Sequence, residues 1–251
     1  MTMGKVQRYR EILTALPDWD SFLLQESGLP GPRGNLELAQ AVADEGDKPL
    51  FRHLLSFGPD RAPTNSPYEF LAFCGALGLG KLLAGGNRQV LPELRRCASD
   101  PRWRMREGVA MALQRWGEKD MDALLKEMEQ WSRGTPLEQR AAAAALCEPR
   151  LLSQSKHAKQ VLRILDGITA ALPEAQERKS DEFRTLRQGL GYCWSVAVAA
   201  LPEEGKRAME GWLVSTDPDV RWIMRENLKK NRLLRMDRAW VQEWSRRLGT
   251  P

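Results

Sequence analysis

An all-α fold of paired helices is predicted for this 251-residue chain, on three observations. Apolar residues recur at the 3.6-residue period of an amphipathic helix wherever a period is clear. No segment alternates as a half-buried strand does. Capping side chains stand before prolines at Ser66-Pro67, Asp100-Pro101, Thr135-Pro136 and Asp217-Pro218. The cap oxygen accepts from an orphan N–H, and proline suits the first helical position because no donor is needed there.

Taken in order, residues 1–34 form an N-terminal cap whose helical part, 3–27, carries Val6, Tyr9, Leu13, Leu16, Trp19 and Phe22. Six helical hairpins follow at 35–57, 66–98, 101–133, 135–172, 181–215 and 217–248. Within them Met105, Val109, Leu113 and Trp116 share a face, as do Met121, Leu124, Leu125, Met128 and Trp131. Val161, Leu165, Ile168 and Leu172 continue the pattern, and Trp240, Val241, Trp244 and Leu248 close it. The prolines after the caps lie 34, 35 and 82 residues apart, and Ser180-Asp181-Glu182 supplies a further cap inside the long gap. Two helices per 34 to 41 residues is the period of a solenoid. The Gly/Pro-rich stretches 28–34 and 58–65 are short connections, so one domain, 1–251, is expected.

Trp103-Arg104-Met105-Arg106-Glu107 and Trp222-Ile223-Met224-Arg225-Glu226 share the pattern W-x-M-R-E, and Leu137 to Ala142 and Leu186 to Gly189 are looser versions. Small residues allow close helix approach, and the arginine can bond to a carboxylate or carbonyl of the next hairpin. Arg106 and Arg225 are therefore expected to be partly buried and bonded to an adjacent element. Together with the cap–proline pairs, these D-P-x-x-x-x-R-x-x-A-type units resemble the HEAT-repeat superfamily over roughly 66–232. That resemblance implies an armadillo-like, right-handed α-solenoid of about six hairpins.

Composition narrows function. The chain is 42% apolar and 28% charged, and no apolar run reaches the eighteen or so residues of a membrane span. Its first twenty residues carry charge through the apolar positions, unlike a secretory signal. Cys74, Cys97, Cys147 and Cys193 stand 23 to 50 residues apart, a spacing that fits reduced thiols in a cytoplasm rather than a disulfide framework. The net charge of +5 is modest. It concentrates at Arg95, Arg96, Arg102 and Arg104, and again at Arg221, Lys229, Lys230 and Arg232, which are the candidate binding residues.

Catalytic signatures are weak. Gly75-Ala76-Leu77-Gly78-Leu79-Gly80-Lys81 has the G-x-x-x-x-G-K spacing of a phosphate loop, but Leu82 replaces the hydroxyl residue and the preceding stretch reads as helix. Its glycines are expected to permit helix contact. His53 and His157 stand alone, so no metal site or cofactor is expected; His157, in a charged stretch, is placed in solvent. Cys97 beside Arg95 and Arg96 is the one thiol with positive sequence neighbours. Most of the nine tryptophans occupy core-facing helical positions.

The primary expectation is a non-enzymatic binding scaffold for a protein or peptide. The alternative is a nucleic-acid-binding solenoid, since the chain also resembles, in size and repeat cores, the HEAT-like-repeat alkylpurine DNA glycosylases. That resemblance implies Trp116, Asp120 and Arg140 as the residues facing an alkylated base.

Overall fold

The computed structural model describes residues 2–249, which contain fifteen α-helices and no β-strand. They divide into two units, Met1–Lys119 and Asp120–Pro251.

The first unit holds α1 (Thr2–Ala15), α2 (Asp20–Glu26), α3 (Leu36–Glu45), α4 (Lys48–Leu55), α5 (Pro67–Ala84), α6 (Leu91–Cys97) and α7 (Trp103–Gly117). Helix α5 is its centre, packed by α2, α3, α4 and α7. Side chains on α5 are buried nearly all round, so the helix meets its neighbours through glycines. A β-carbon at Gly78 would lie 2.2 Å from the Phe51 ring, and one at Gly80 would lie 2.6 Å from the backbone of Ala112 in α7. The G-x-x-x-x-G-K stretch is thus mid-helix packing. Lys81 donates Nζ to the carbonyls of Asp44 (2.6 Å) and Gly46 (2.8 Å), where α3 ends with carbonyls that lack helical partners.

The second unit holds α8 (Met121–Trp131), α9 (Pro136–Leu146), α10 (Ser155–Ala171), α11 (Asp181–Ala200), α12 (Pro202–Leu213), α13 (Pro218–Leu228), α14 (Asn231–Met236) and α15 (Arg238–Arg247). Here α11 is central, with α9 on one side and α13 on the other. Asn227 of α13 is fully buried and ties the two helices together, accepting from the Ser195 amide (2.7 Å) and donating to the Leu190 carbonyl (2.8 Å). Trp194 is likewise fully buried and donates its indole N–H to Thr169 Oγ1 at 3.0 Å. The last predicted hairpin, 217–248, is three helices, because Asp237 ends α14 and caps α15.

The capping signals act as expected at Ser66, Thr135, Ser180 and Asp217, each accepting from an early helical amide. Asp100 does not. Its carboxylate is taken by Arg102, through the backbone N–H (2.8 Å) and the guanidinium (2.7 Å at the nearer nitrogen), and α7 begins at Trp103 instead of Pro101.

Arginine placement follows from these starts. Arg225 donates to the Leu248 carbonyl (2.6 Å) at the end of α15, as expected. Arg106 is also half-buried, and it donates to the Asp100 (2.7 Å) and Pro101 (2.9 Å) carbonyls before its own helix. Arg104 crosses between helices. It donates to Glu69 Oε2 of α5 (3.0 Å) and to the Gly31 carbonyl (2.8 Å), and Glu69 is 0% exposed. Arg104 is 6% exposed and Arg102 is 3% exposed.

Candidate binding groove

In the second unit a groove of about 680 Å³ is lined by the 3-10 turn Pro149–Leu152, the C-terminal half of α11, and α14 with the residues before it. Its floor is aliphatic. Val196, Ala199 and Ala200 follow Tyr192 at helical spacing on α11, and Leu152 and Pro149 complete it.

Lys229, Lys230, Arg232 and Arg235 form the groove's positive lining, and no Asp or Glu lines it. Lys229 is paired with Glu226 Oε1 at 2.6 Å. The Arg232 guanidinium lies 4.6 Å from the centroid of the Tyr192 ring and donates to the Tyr192 hydroxyl. Lys230 Nζ lies 6.0 Å from the same centroid. Lys230, Arg232 and Arg235 form no ion pair among the described residues. Tyr192 itself is 46% exposed. The arrangement places three unneutralised cations beside an apolar surface.

The candidates of the two charge clusters thus have different fates. Lys229, Lys230 and Arg232 come together at the groove. Arg221 is half-buried, with a bond to the Ser215 carbonyl at 3.5 Å, and does not line it. In the first unit Arg96 is exposed and Arg95 half-buried on α6, whereas Arg102 and Arg104 are consumed by internal hydrogen bonds. Arg102 alone serves Asp100 and the carbonyls of Phe57 (2.9 Å) and Ala62 (3.1 Å). Their burial removes them from any ligand-facing surface.

Sequence reasoning missed Tyr192 and Arg235. Tyr192 stands two residues from both Leu190 and Trp194, which are fully buried, so its outward direction was available from the helical wheel. Arg235 lies three residues beyond Arg232, in the last turn of the same short helix α14.

Trp116 is 2% exposed, and Arg88 covers its ring at 4.1 Å, leaving no open face for a base. Asp120 caps α8, accepting from the Ala123 amide at 3.0 Å. Arg140 is half-buried on α9, its side chain facing Gly189 of α11. Trp131 and Trp194 are fully buried, whereas Trp103 is 45% exposed, with the Arg104 guanidinium on its ring at 4.4 Å.

Titratable groups carry no sign of an activated nucleophile. Burial pushes the Cys97 thiol up to about 11, with Asp100 and Glu93 adding to the rise against Arg96 and Arg102. Burial raises Cys74 and Cys147 as well, and Cys147 is further raised by a hydrogen bond with Cys193. His157 corrects the solvated placement: it is 5% exposed and its Nε2 lies 3.0 Å from Asp122 Oδ1. That bond and the one from Lys156, the larger cause, hold the Asp122 carboxyl below its ordinary value. Among the described residues no three His, Cys, Asp or Glu side chains are grouped to hold a metal ion, and no helix is long and apolar enough to cross a membrane. No protein-family model and no curated protein matches the chain.

Proposed function

We propose that this chain is a non-enzymatic binding module, a HEAT-like α-solenoid that engages a protein or peptide partner through the basic groove of its second unit. The observation that carries the reading is the groove itself, with three cations free of ion pairs around an aliphatic floor. Folded proteins keep such charges solvated or paired, and their concentration at a concave apolar surface is the pattern of a recognition site. The repeat reading is supported by helix packing inside each unit. The first helices of successive predicted hairpins lie side by side, α3 on α5 on α7 in one unit and α9 on α11 on α13 in the other. Burial of Trp116 and the capping role of Asp120 favour binding over base excision.

The test is a random-peptide display selection on the full chain, repeated on a Lys230→Glu, Arg235→Glu variant. Peptides that bind the parent and lose binding to the variant support the reading. Enriched peptides indifferent to both substitutions would sink it, as would release of alkylated bases from DNA by the purified protein.

A further inference from the structure

We infer that the occupant of the groove is an acidic peptide segment with an aliphatic anchor: carboxylates meet Lys230, Arg232 and Arg235, and a leucine-like side chain rests on Pro149, Ala199 and Ala200. This rests on the binding-module reading above and names the chemistry of its partner.

Charge complementarity selects the sign. Lys230, Arg232 and Arg235 are unneutralised, and no carboxylate of the chain lines the groove. Complementary charge both attracts the right partner and penalises a basic one. The floor selects the anchor. Leu152 and Val196 are closed off at 3% and 2% exposure, but Pro149 is exposed and Ala199 and Ala200 are half-buried, and these three offer a surface without a polar side chain, one that an aliphatic group can cover without stranding a hydrogen bond.

Tyr192 favours a peptide over a nucleic acid. Bases bind single-strand sites by stacking on open aromatic faces. One face of Tyr192 is already engaged by the Arg232 guanidinium at 4.6 Å, and Arg232 also donates to its hydroxyl. A base stacking on that face would have to displace the guanidinium, whereas a carboxylate can accept from its remaining N–H groups while the ring contact persists. The volume, about 680 Å³, lies within the roughly 300–1,000 Å³ range of ligand-holding clefts and suits a short segment.

The experiment uses the full chain and a fluorescent hexapeptide with two leucines between pairs of glutamates, read by polarisation at low and physiological salt. Three comparison probes are the same peptide with serine for leucine, the same with lysine for glutamate, and an oligothymidylate. The glutamate–leucine peptide should bind. Lys230→Glu with Arg235→Glu should weaken it at least tenfold, which is about 1.4 kcal/mol. Serine for leucine should weaken it several-fold, and the lysine peptide should not bind. Arg235→Gln, a neutral change on an exposed side chain, gives a weaker loss of the same sign and serves should the double variant misfold by circular dichroism. Equal binding of the serine or lysine peptide overturns the inference, and so does oligothymidylate that binds more tightly and displaces the peptide. Displayed peptides that need the groove but lack acidic residues would overturn this inference alone. A display selection in which no peptide responds to the groove substitutions would remove the binding-module reading with it.

Discussion

Replacing Arg104 by Met leaves the Glu69 carboxylate at 0% exposure without its cation. In the native protein Glu69 Oε2 accepts from Arg104 Nη1 at 3.0 Å and from the Asn65 amide at 2.7 Å, while its Oε1 has no partner. Only the amide would remain to stabilise a charge in the interior. Removing one member of a buried pair costs about 3–5 kcal/mol, because the other charge stays desolvated. At roughly 2–4 °C per kcal/mol for a chain of this size, the thermal midpoint should fall by on the order of 10 °C. Arg106→Met supplies the contrast, since this half-buried residue gives up hydrogen bonds to the carbonyls of Asp100 and Pro101, worth roughly 1–3 kcal/mol. The mechanism also fixes a sign. Glu69→Gln should destabilise the parent, yet should restore stability in the Arg104→Met background by removing the stranded charge while keeping an acceptor for Asn65. Calorimetry or chemical unfolding of the four proteins in this cycle measures it. An Arg104→Met variant as stable as the parent, or a Glu69→Gln effect of the same sign in both backgrounds, would refute the reasoning.

Other outcomes follow from the geometry already described. Gly80→Ala should destabilise by roughly 1–3 kcal/mol or more in chemical unfolding, because its β-carbon would meet the Ala112 backbone at 2.6 Å; Gly211→Ala, with nothing within 4 Å, should stabilise α12 by roughly 0.5–1 kcal/mol. Burial opposes ionisation of Asp219, but bonds from Arg187 and Arg178 outweigh it and hold the carboxyl below its ordinary value. Its contribution is therefore fully present above the unfolded value of about 4 and is lost as pH falls through the lower folded value, so Asp219→Asn should cost roughly 2 kcal/mol at neutral pH and flatten the acid limb of a stability–pH curve. Duplex DNA should bind weakly, with a salt slope near or below about 3 in magnitude, the number of unpaired cations at the groove. Alkylated DNA should retain its bases after incubation with the chain, as measured by abasic-site cleavage.

Most helix starts were legible because their causes are local. Ser66, Thr135, Ser180 and Asp217 each act on an amide two or three residues away, within reach of a sequence pattern. The exception at Asp100 is also local, but it depends on competition: a carboxylate that meets a guanidinium two residues on binds that instead of capping the helix predicted at Pro101. Burial of arginines was less legible. Arg104 and Arg106 sit in the same W-x-M-R-E unit, and the deep burial of Arg104 depends on Glu69, a partner 35 residues earlier that no local pattern announces. The groove was half visible, since a run of cations announces positive charge but says nothing about which of them find carboxylates. Its tyrosine lay outside that run, on a helix brought alongside by the packing of α11 against α14.

The pairing of Tyr192 with Arg232 has a consequence for affinity that no ligand contact reveals. An arginine side chain loses up to roughly 2 kcal/mol of rotamer freedom when it is fixed, and a binding site normally pays that loss at the moment of capture. Arg232 is held by ring and hydroxyl before any partner arrives, so part of the ordering has already occurred during folding. Tyr192→Ala would return the guanidinium to many orientations, and an anion would then bind more weakly through a faster departure although every positive charge remained.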